Sequence, residues 1–296
     1  MRGPALGSWM GISLIGLLGS LPAVSEERRE SDDIVQTMQR QALPELIQSL
    51  TEKKNARHLR ILRVAGEVED RRAGRYLTEA YEETTNEGVR CKLLESIGKL
   101  HDPALFGWLA KRLKDPHIGI ECFTIWALGE LKTPRGTGLL RQKLWDPNRY
   151  IQMTAIDALG KTGKNRAVAA ELETFLRDKD VQVRYLTAKA LLGVAREDSA
   201  PDLAQRLTEE PSVDVREALA VALGRTGGTV GVGRLIELLK YPPSQATEHD
   251  AELGLKAADR DILMAALKPL LEGSDFRLSV SAARILSEKD RERAEP

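Results

Sequence analysis

Five nearly identical ten-residue lines between residues 89 and 224 constrain the fold of this chain more than any other feature. They begin at Val89, Ile120, Ile151, Val183 and Val215, so the starts lie 31, 31, 32 and 32 residues apart. A fixed period of this length is typical of a stacked array of short units, because each unit buries one face only against its neighbours. The sequence therefore predicts one elongated repeat domain rather than two globular ones.

Each line has the periodicity of a helix rather than of a strand. Positions one, five, six, eight and nine are mostly Val, Ile, Leu or Ala, and on a helical wheel they share one side. Position ten is Gly in four of the five lines, which is typical of a helix end. Position eight is always small, as expected where two helices pack closely: Ser96, Ala127, Ala158, Ala190 and Ala222.

A second amphipathic stretch separates consecutive lines, so each period predicts a pair of helices, that is, a helical hairpin. Asp115-Pro116 and Asp146-Pro147 fall at the turns of two hairpins, where Pro is expected at the first helical position. The sequence thus predicts an all-α fold, an α-solenoid of about seven to eight stacked helical hairpins.

The Asp-Pro turn, the Val-Arg start and the Ala-Leu-Gly end of the line resemble HEAT repeats, especially the short repeats of phycobilisome-lyase-like proteins. The resemblance extends over residues 33–288 and implies one HEAT-like superhelical domain. In that family, Arg at position two and Asp in the turns commonly form a ladder along the stack. The resemblance implies inter-repeat ion pairs here, interrupted at Glu121 and Gln152. The residues concerned are Arg90, Arg184, Arg216, Arg277, Asp146, Asp178, Asp180, Asp214 and Asp275.

The C-terminal end of the array is less regular than its middle. Val215 and Phe276 lie 61 residues apart, about two periods, and the segment 241–250 between them contains two consecutive prolines. We interpret this segment as a longer loop in a degenerate unit, either a functional insertion or a surface excursion. The last unit is expected to cap the stack, and the charged tail 289–296 is expected to fray.

The first 25 residues have the layout of a cleavable secretory signal. Arg2 supplies a short basic region, residues 9–21 are apolar but short for a membrane span, and small residues precede Glu26. Cleavage after Ser25 would leave a short polar linker, residues 26–32, before the repeats. The sequence predicts an exported protein, periplasmic or secreted, or alternatively one anchored by an uncleaved N-terminal segment.

Charge and cysteine content limit the classes of partner. Lys and Arg together number 44, as do Asp and Glu, so no general attraction to nucleic acid or anionic lipid is expected. The two cysteines, Cys91 and Cys122, occupy position three of consecutive lines. Neighbouring helix axes lie about 8–10 Å apart, whereas a disulfide needs Cα atoms within roughly 7 Å of each other. Free or partly buried thiols are therefore favoured, and the alternative is a disulfide, which an oxidising compartment would promote.

Positions three and seven of the lines point away from the buried side and yet are not uniformly polar. In HEAT arrays the second helix of each unit usually lines the concave surface, so the resemblance places these positions there. An exposed strip with apolar and aromatic residues is typical of a partner-binding site. The alternative is that loops or shifted side chains cover it. The strip consists of Cys122, Trp126, Met153, Asp157, Tyr185 and Lys189.

The sequence contains no recognisable catalytic or metal-binding motif. The histidines, His58, His101, His117 and His249, are scattered, and none is followed by Glu, whereas HEAT-like deoxyhypusine hydroxylases hold iron with His-Glu pairs. GxSxG, HExxH and phosphate-loop motifs are absent from the sequence. The glycine-rich segment 226–233 follows a predicted helix, and we interpret it as the turn that opens the next unit. We therefore expect no catalytic residue, no cofactor and no metal.

Three functions are compatible with the sequence. The first is an exported, non-enzymatic scaffold that binds a protein or peptide along its concave surface, with Trp126, Met153 and Tyr185 as anchors. The second is a phycobilisome-lyase-like enzyme or a carrier of a small ligand such as a bilin, by analogy of the repeats alone. An export signal contradicts the cytoplasmic location of bilin attachment. The third is a purely structural envelope protein, and we favour the first.

Overall fold

A computed structural model of the chain describes residues 71–294. Within this range the chain forms fourteen α-helices and three 3-10 turns, without any β-strand. None of these helices combines the length and the apolar composition needed to cross a bilayer. The predicted signal segment 1–25, the linker 26–32 and the first part of the array, residues 33–70, lie outside the described residues. The all-α fold predicted from the repeat is confirmed.

The described residues fall into two compact units, divided after Ala127. The first unit contains α1 (Gly74–Glu83), α2 (Glu87–Lys99), α3 (Phe106–Ala110) and most of α4 (Ile118–Glu130). Helices α1 and α2 form one hairpin, and α3 and α4 follow as the next pair along the chain.

The second unit contains five further hairpins. Their helices are α5 (Pro134–Lys143), α6 (Arg149–Gly160), α7 (Arg166–Phe175), α8 (Val181–Val194), α9 (Ala200–Glu209), α10 (Val213–Thr226), α11 (Gly228–Lys240), α12 (Gln245–Ala257), α13 (Arg260–Leu271) and α14 (Phe276–Ala294). Each second helix of this unit, from α6 to α14, packs against the first helix of its own hairpin, and α6, α8, α10 and α12 each pack against the second helix of the next hairpin. The second helices of this unit therefore form a continuous layer from α6 to α14.

The buried face of the second helices follows the sequence pattern. In the lines that start at Ile120, Ile151, Val183 and Val215, every residue at positions one, five, six, eight and nine is buried. In the first line Val89 is half-buried and the other four positions are buried. Complete burial of one Leu or Ile side chain contributes about 1.5–3 kcal/mol. This repeated apolar face is therefore the main source of the stability of the stack.

The glycine at position ten has a role different from the expected one. A Cβ at Gly160 would stand 2.7 Å from the Cα of Ala190, and a Cβ at Gly129 would stand 2.9 Å from the Cβ of Ala158. The glycine therefore allows close approach to the small residue at position eight of the next line, which confirms the packing role predicted for position eight. The left-handed residue of the turn comes three positions later, as at Gly163, where φ is 89°.

The Asp-Pro turns lie outside the helices that follow them. Asp146 accepts a hydrogen bond from the backbone N–H of Asn148 (2.9 Å), and Asn148 in turn caps α6. Pro147 is thus part of a turn and not the first helical residue, and Asp115-Pro116 stands in the same position before α4. The prediction of Pro at the first helical position was wrong for these two turns, because the Asp side chain bonds the local backbone instead of capping the helix.

Most of the segment 241–250 is helical. Helix α12 begins at Gln245, and Ser244 caps it by accepting a hydrogen bond from the backbone N–H of Thr247 (3.2 Å). Only residues 241–244 connect α11 to α12. The interpretation as a long loop in a degenerate unit was wrong, because the polar residues after Ser244 form the start of an ordinary second helix.

Most of the predicted tail 289–296 is also helical, since α14 extends to Ala294. The Nζ of Lys289 donates a hydrogen bond to the carbonyl oxygen of Lys256 (2.7 Å). Asp290 accepts two hydrogen bonds from Arg260, at 3.0 and 3.1 Å. These contacts to α12 and α13 hold the charged residues in helical conformation.

Candidate functional site

The residues of the predicted strip fall in both units. Two belong to α4 in the first unit, and the other four belong to the second unit, where α6 and α8 pack against each other. The first pair is Cys122 and Trp126, and the four others are Met153, Asp157, Tyr185 and Lys189.

The four residues of the second unit form a mixed apolar and charged surface. Asp157 and Lys189 are exposed, whereas Met153 and Tyr185 are half-buried. The Nζ of Lys189 lies 5.5 Å from the centroid of the Tyr185 ring, within the range of a cation–π interaction. Asp157 pairs with Lys161 at 3.4 Å. The Tyr185 ring is thus oriented by its neighbour on α8 and remains partly accessible.

The two residues of the first unit contribute to packing. Cys122 is buried and therefore lies outside any exposed strip, in contrast to the expectation. The Trp126 ring covers Gly98 of α2 so closely that a Cβ there would stand 2.6 Å from it. Both cysteines are free thiols. Burial, followed by the charge of Glu87, raises the pKa of Cys91 to about 11, so this thiol is protonated and weakly reactive at neutral pH.

Arg184 and Arg216 form inter-repeat ion pairs, but with carboxylates that the sequence analysis did not name. Arg184 donates two hydrogen bonds to Glu210, both at 2.9 Å, and Arg216 donates one to Asp250 at 2.8 Å. Both carboxylates are buried. Each guanidinium also donates to two backbone carbonyls in the turn before its own helix. Each Arg therefore joins its own turn to the next hairpin.

The Glu210 carboxylate has further donors besides Arg184. Arg206 donates to it at 3.0 Å, and the backbone N–H of Ser212 donates at 3.1 Å. Burial alone would raise the pKa of Glu210, but the hydrogen bonds from Arg184 and Ser212 and the two positive charges hold that pKa below its ordinary value. Glu210 is therefore an ionised group inside the stack.

The two remaining arginines of the predicted ladder have different partners. Arg277 forms an ion pair with Glu248 of the preceding hairpin. Arg90 donates to the carbonyl oxygen of Thr84 at 2.8 Å, and its guanidinium carbon lies 5.1 Å from the centroid of the Tyr81 ring. Arg90 thus fastens the turn of its own hairpin.

Three of the five aspartates named for the predicted ladder divide between local and inter-repeat contacts. Asp146 pairs with Lys143 of the same turn at 3.1 Å. Asp180 caps α8 by accepting the backbone N–H of Gln182 at 2.9 Å. Only Asp178 of these three reaches another repeat among the hydrogen bonds of the described residues, through Arg149 (Nη1 to Oδ2, 3.0 Å).

The third line lacks an Arg at position two, and two residues share its role. Gln152 donates to the carbonyl oxygen of Leu144 at 2.7 Å, which fastens the turn, and Arg149 supplies the ion pair to Asp178. Arg149 and Gln152 also contact each other. The signal in the sequence is an Arg placed one helical turn before the Gln. The predicted interruption at Gln152 is thus a redistribution of contacts.

The glycine-rich segment 226–233 begins at the last residue of α10 and continues into the first turns of α11, where Gly228 has a φ of 53°. The carboxylate of Glu197 accepts hydrogen bonds from the Thr229 hydroxyl (2.9 Å) and the Val230 backbone N–H (3.2 Å). A side chain of the preceding hairpin thus occupies the position that an anion would take at this helix N-terminus. Within residues 71–294, no three His, Cys, Asp or Glu side chains are arranged to hold a metal ion.

Exposed apolar side chains that the sequence analysis did not single out occur where first helices turn into second helices. Tyr150, Val181 and Val213 stand at the first or second position of α6, α8 and α10 and are 65%, 38% and 54% exposed. Trp145 is 66% exposed, and its ring centroid lies 5.1 Å from that of Phe175. Their recurrence at the repeat period is the signal that identifies them. The second unit therefore has a second apolar surface, along these turns.

Solved structures similar to this chain include those of the following three proteins. Human deoxyhypusine hydroxylase, in complex with glycerol, is 18% identical, with a TM-score of 0.36 over 91% of this chain and 99% of that chain. The complex of CpcE and CpcF of phycocyanin lyase from Nostoc sp. PCC7120 is 20% identical, with a TM-score of 0.46, and the match covers 73% of this chain and 94% of that chain. A designed armadillo repeat protein is 14% identical, with a TM-score of 0.38, and the match covers 61% of this chain and 98% of that chain. No curated protein matches the sequence.

A family model agrees with the repeated hairpins of the structure. The model described as HEAT repeats matches residues 107–174 and residues 169–256. Together the two matches extend from the start of the third helix to the end of α12, which is half of the chain. The chain belongs to the HEAT-repeat family.

Proposed function

We propose that this chain is an exported, non-enzymatic HEAT-repeat protein that binds an extended peptide segment of a partner protein along the exposed face of α6, α8 and α10. The observation that carries the proposal is the half-buried Tyr185 ring on this face, with Lys189 beside it. Tyr combines a large apolar contact area with a polar tip and is enriched among the residues that dominate binding energy.

Side chains on the neighbouring helices add contact area around Tyr185. Met153 stands at the equivalent position of α6, whereas on α10 that position is Glu217 and Val221, at the position equivalent to Lys189, supplies the apolar side chain. Met153 and Val221 are both half-buried. Asp157 and Lys189 provide one charge of each sign beside them. A peptide that crosses the three helices would contact apolar side chains at the centre of the face and charged side chains beside them, as is typical of partner sites.

The backbone under this face is closely packed, and a backbone that need not rearrange lowers the entropic cost of binding. Gly193 of α8 lies against the carbonyl of Gly160 in α6, where a Cβ would overlap that oxygen. The ion pair from Arg184 to Glu210 joins α8 to the following hairpin. The face is therefore formed before a partner arrives.

The test uses an array of synthetic peptides from which those bound by the full chain are selected. For the selected peptides, we expect Tyr185→Ala to weaken binding by about thirtyfold, since an anchor of this kind contributes about 2 kcal/mol. Tyr150→Ala is the matched control, because Tyr150 is exposed on the turns and not on the proposed face. Unfolding in urea checks that both variants are folded. Loss of binding with Tyr150→Ala and not with Tyr185→Ala would move the site to the turns and overturn the proposal.

Export and the lack of catalysis are parts of the same proposal, supported by residues 1–25 and by the absence of catalytic motifs from the sequence. The intact mass of the protein recovered from its native cells is expected to correspond to a chain that starts at Glu26. Incubation with a bilin is expected to leave the protein without visible absorption. A full-length cytoplasmic form, or a bound chromophore, would favour a carrier or a lyase instead.

A further inference from the structure

Three cations from three consecutive repeats lie at the C-terminal ends of α6, α8 and α10. Lys164 follows α6, Arg196 follows α8, and Arg225 belongs to the last turn of α10. All three side chains are exposed. The Nζ of Lys164 donates to the carbonyl oxygen of Leu192 at 3.3 Å, so the first cation is held over the end of the next helix. The three charges therefore mark one margin of the proposed binding face.

The three charges are close enough to affect one another. Partial desolvation of the exposed side chain, followed by the positive charges of Arg225 and Arg196, lowers the pKa of Lys164. Like charges in such proximity oppose folding, and the partial negative charge of the helix C-termini offsets this only in part. The cluster is therefore a feature that stability alone does not explain.

The described part of the chain supplies no carboxylate to this cluster. Neither Arg196 nor Arg225 makes a side-chain hydrogen bond or an ion pair within residues 71–294. The two acidic residues next to Arg196 are engaged elsewhere: Glu197 with Thr229 and Val230, and Asp198 with Arg166 at 3.0 Å. The arginines at position two of the same helices are in contrast paired with buried carboxylates. These two guanidinium groups are available for an external ligand.

The spacing of the packed helices that carry the cations matches the spacing of carboxylates along an extended peptide. Packed helix axes are about 8–10 Å apart, and residues two or three apart in an extended peptide are separated by about 7–10 Å. Guanidinium groups bind carboxylates through two parallel hydrogen bonds. The formal net charge of the whole chain is zero, so attraction to an acidic peptide would come from this cluster and not from the protein in general.

We infer that Lys164, Arg196 and Arg225 form a binding site for an acidic segment of the partner peptide, at the margin of the face that carries Tyr185. The inference rests on the proposed function for the direction of the peptide. It assigns the partner a chemistry: two or more carboxylates, in an extended segment, beside an apolar residue that contacts Tyr185.

The test measures binding of a fluorescent hexaglutamate peptide to the full chain by anisotropy, at low and at physiological ionic strength. We expect saturable binding that weakens with salt, and about tenfold weaker binding by the variant Arg196→Gln/Arg225→Gln, since two charge-assisted contacts are lost. The matched control is Arg135→Gln/Arg234→Gln, which changes the net charge equally on exposed residues of the first helices α5 and α11. The control is expected to bind as the unaltered chain does.

Several results would overturn the inference. These are failure of the unaltered chain to bind hexaglutamate, equal losses in both double variants, or binding of tripolyphosphate through Arg196 and Arg225 without binding of hexaglutamate. Lys164→Gln serves as an independent variant and is expected to weaken hexaglutamate binding without lowering stability. Tyr185→Ala separates the two proposals. If it leaves array-selected peptides bound while the double variant loses hexaglutamate, the proposed face fails and the acidic-segment site stands. If Tyr185→Ala instead loses the array-selected peptides while the variant Arg196→Gln/Arg225→Gln still binds hexaglutamate, only the acidic-segment site fails.

Discussion

Glu210 shows how much depends on one buried carboxylate in this array. Its oxygens accept hydrogen bonds from Arg184 of the preceding hairpin, from Arg206 of its own hairpin and from a backbone N–H. Removing one partner of a buried ion pair leaves the other charge without compensation. We expect Glu210→Gln to lower the free energy of unfolding by about 3 kcal/mol at neutral pH, measured by urea denaturation.

The same residue predicts a pH dependence of stability. The pKa of Glu210 is lower in the folded chain than its ordinary value, so its contribution is complete above the unfolded pKa, about 4.3, and is lost as the pH falls through the folded pKa. The difference in the free energy of unfolding between the unaltered chain and Glu210→Gln should therefore become smaller only below about pH 4. Glu237→Gln is the control, since Glu237 is exposed and pairs with Arg234 on the same helix. A difference in the free energy of unfolding that stays constant until the protein unfolds in acid would contradict the role assigned to Glu210.

At the scale of helices, glycine determines how closely second helices pack. A Cβ at Gly193 would overlap the carbonyl oxygen of Gly160, whereas a Cβ at Gly233 on α11 would meet nothing within 4 Å. We expect Gly193→Ala to destabilise the chain by about 2 kcal/mol, because α6 and α8 must separate. Gly233→Ala should instead stabilise it by about 0.5–1 kcal/mol, through helix propensity. Urea denaturation of both variants checks the signs, and a stabilised Gly193→Ala would refute the close packing.

The helices themselves were predictable from the sequence because burial repeats with the helical period, as the four fully buried lines show. The packing role of glycine was not predictable from the sequence. The atom that faces Gly160 is the Cα of Ala190, thirty residues later, and the distance between the two residues depends on how their helices pack. The partners of the ladder were missed for a similar reason. Glu210 and Asp250 stand at different offsets from their arginines, 26 and 34 residues, so no fixed spacing identifies them. The exposure of single residues in the strip also depends on which neighbours cover them. Cys122, which was expected to be exposed, is buried.

At the scale of the whole molecule, stability is distributed over neighbouring hairpins, because each hairpin of a repeat stack contacts only those next to it. Within the second unit, the hairpin of α7 and α8 packs between two others, whereas that of α13 and α14 packs on α11 and α12 within the described residues. Leu172 of α7 and Leu267 of α13 are both fully buried. The same truncation at these two positions therefore removes similar local contacts in two different surroundings.

We expect Leu267→Ala to increase amide hydrogen exchange in α13 and α14 while α6 and α8 keep their protection, since a terminal hairpin can open alone. Leu172→Ala should increase exchange in α7 and α8 and also in α6 and α10, because opening an inner hairpin exposes the second helices packed on both of its sides. Each truncation is expected to cost about 2–5 kcal/mol locally. Hydrogen exchange with mass spectrometry resolves the helices. Equal increases throughout residues 128–294 in both variants would show that the second unit unfolds as one cooperative body, and binding to its face would then depend on every hairpin.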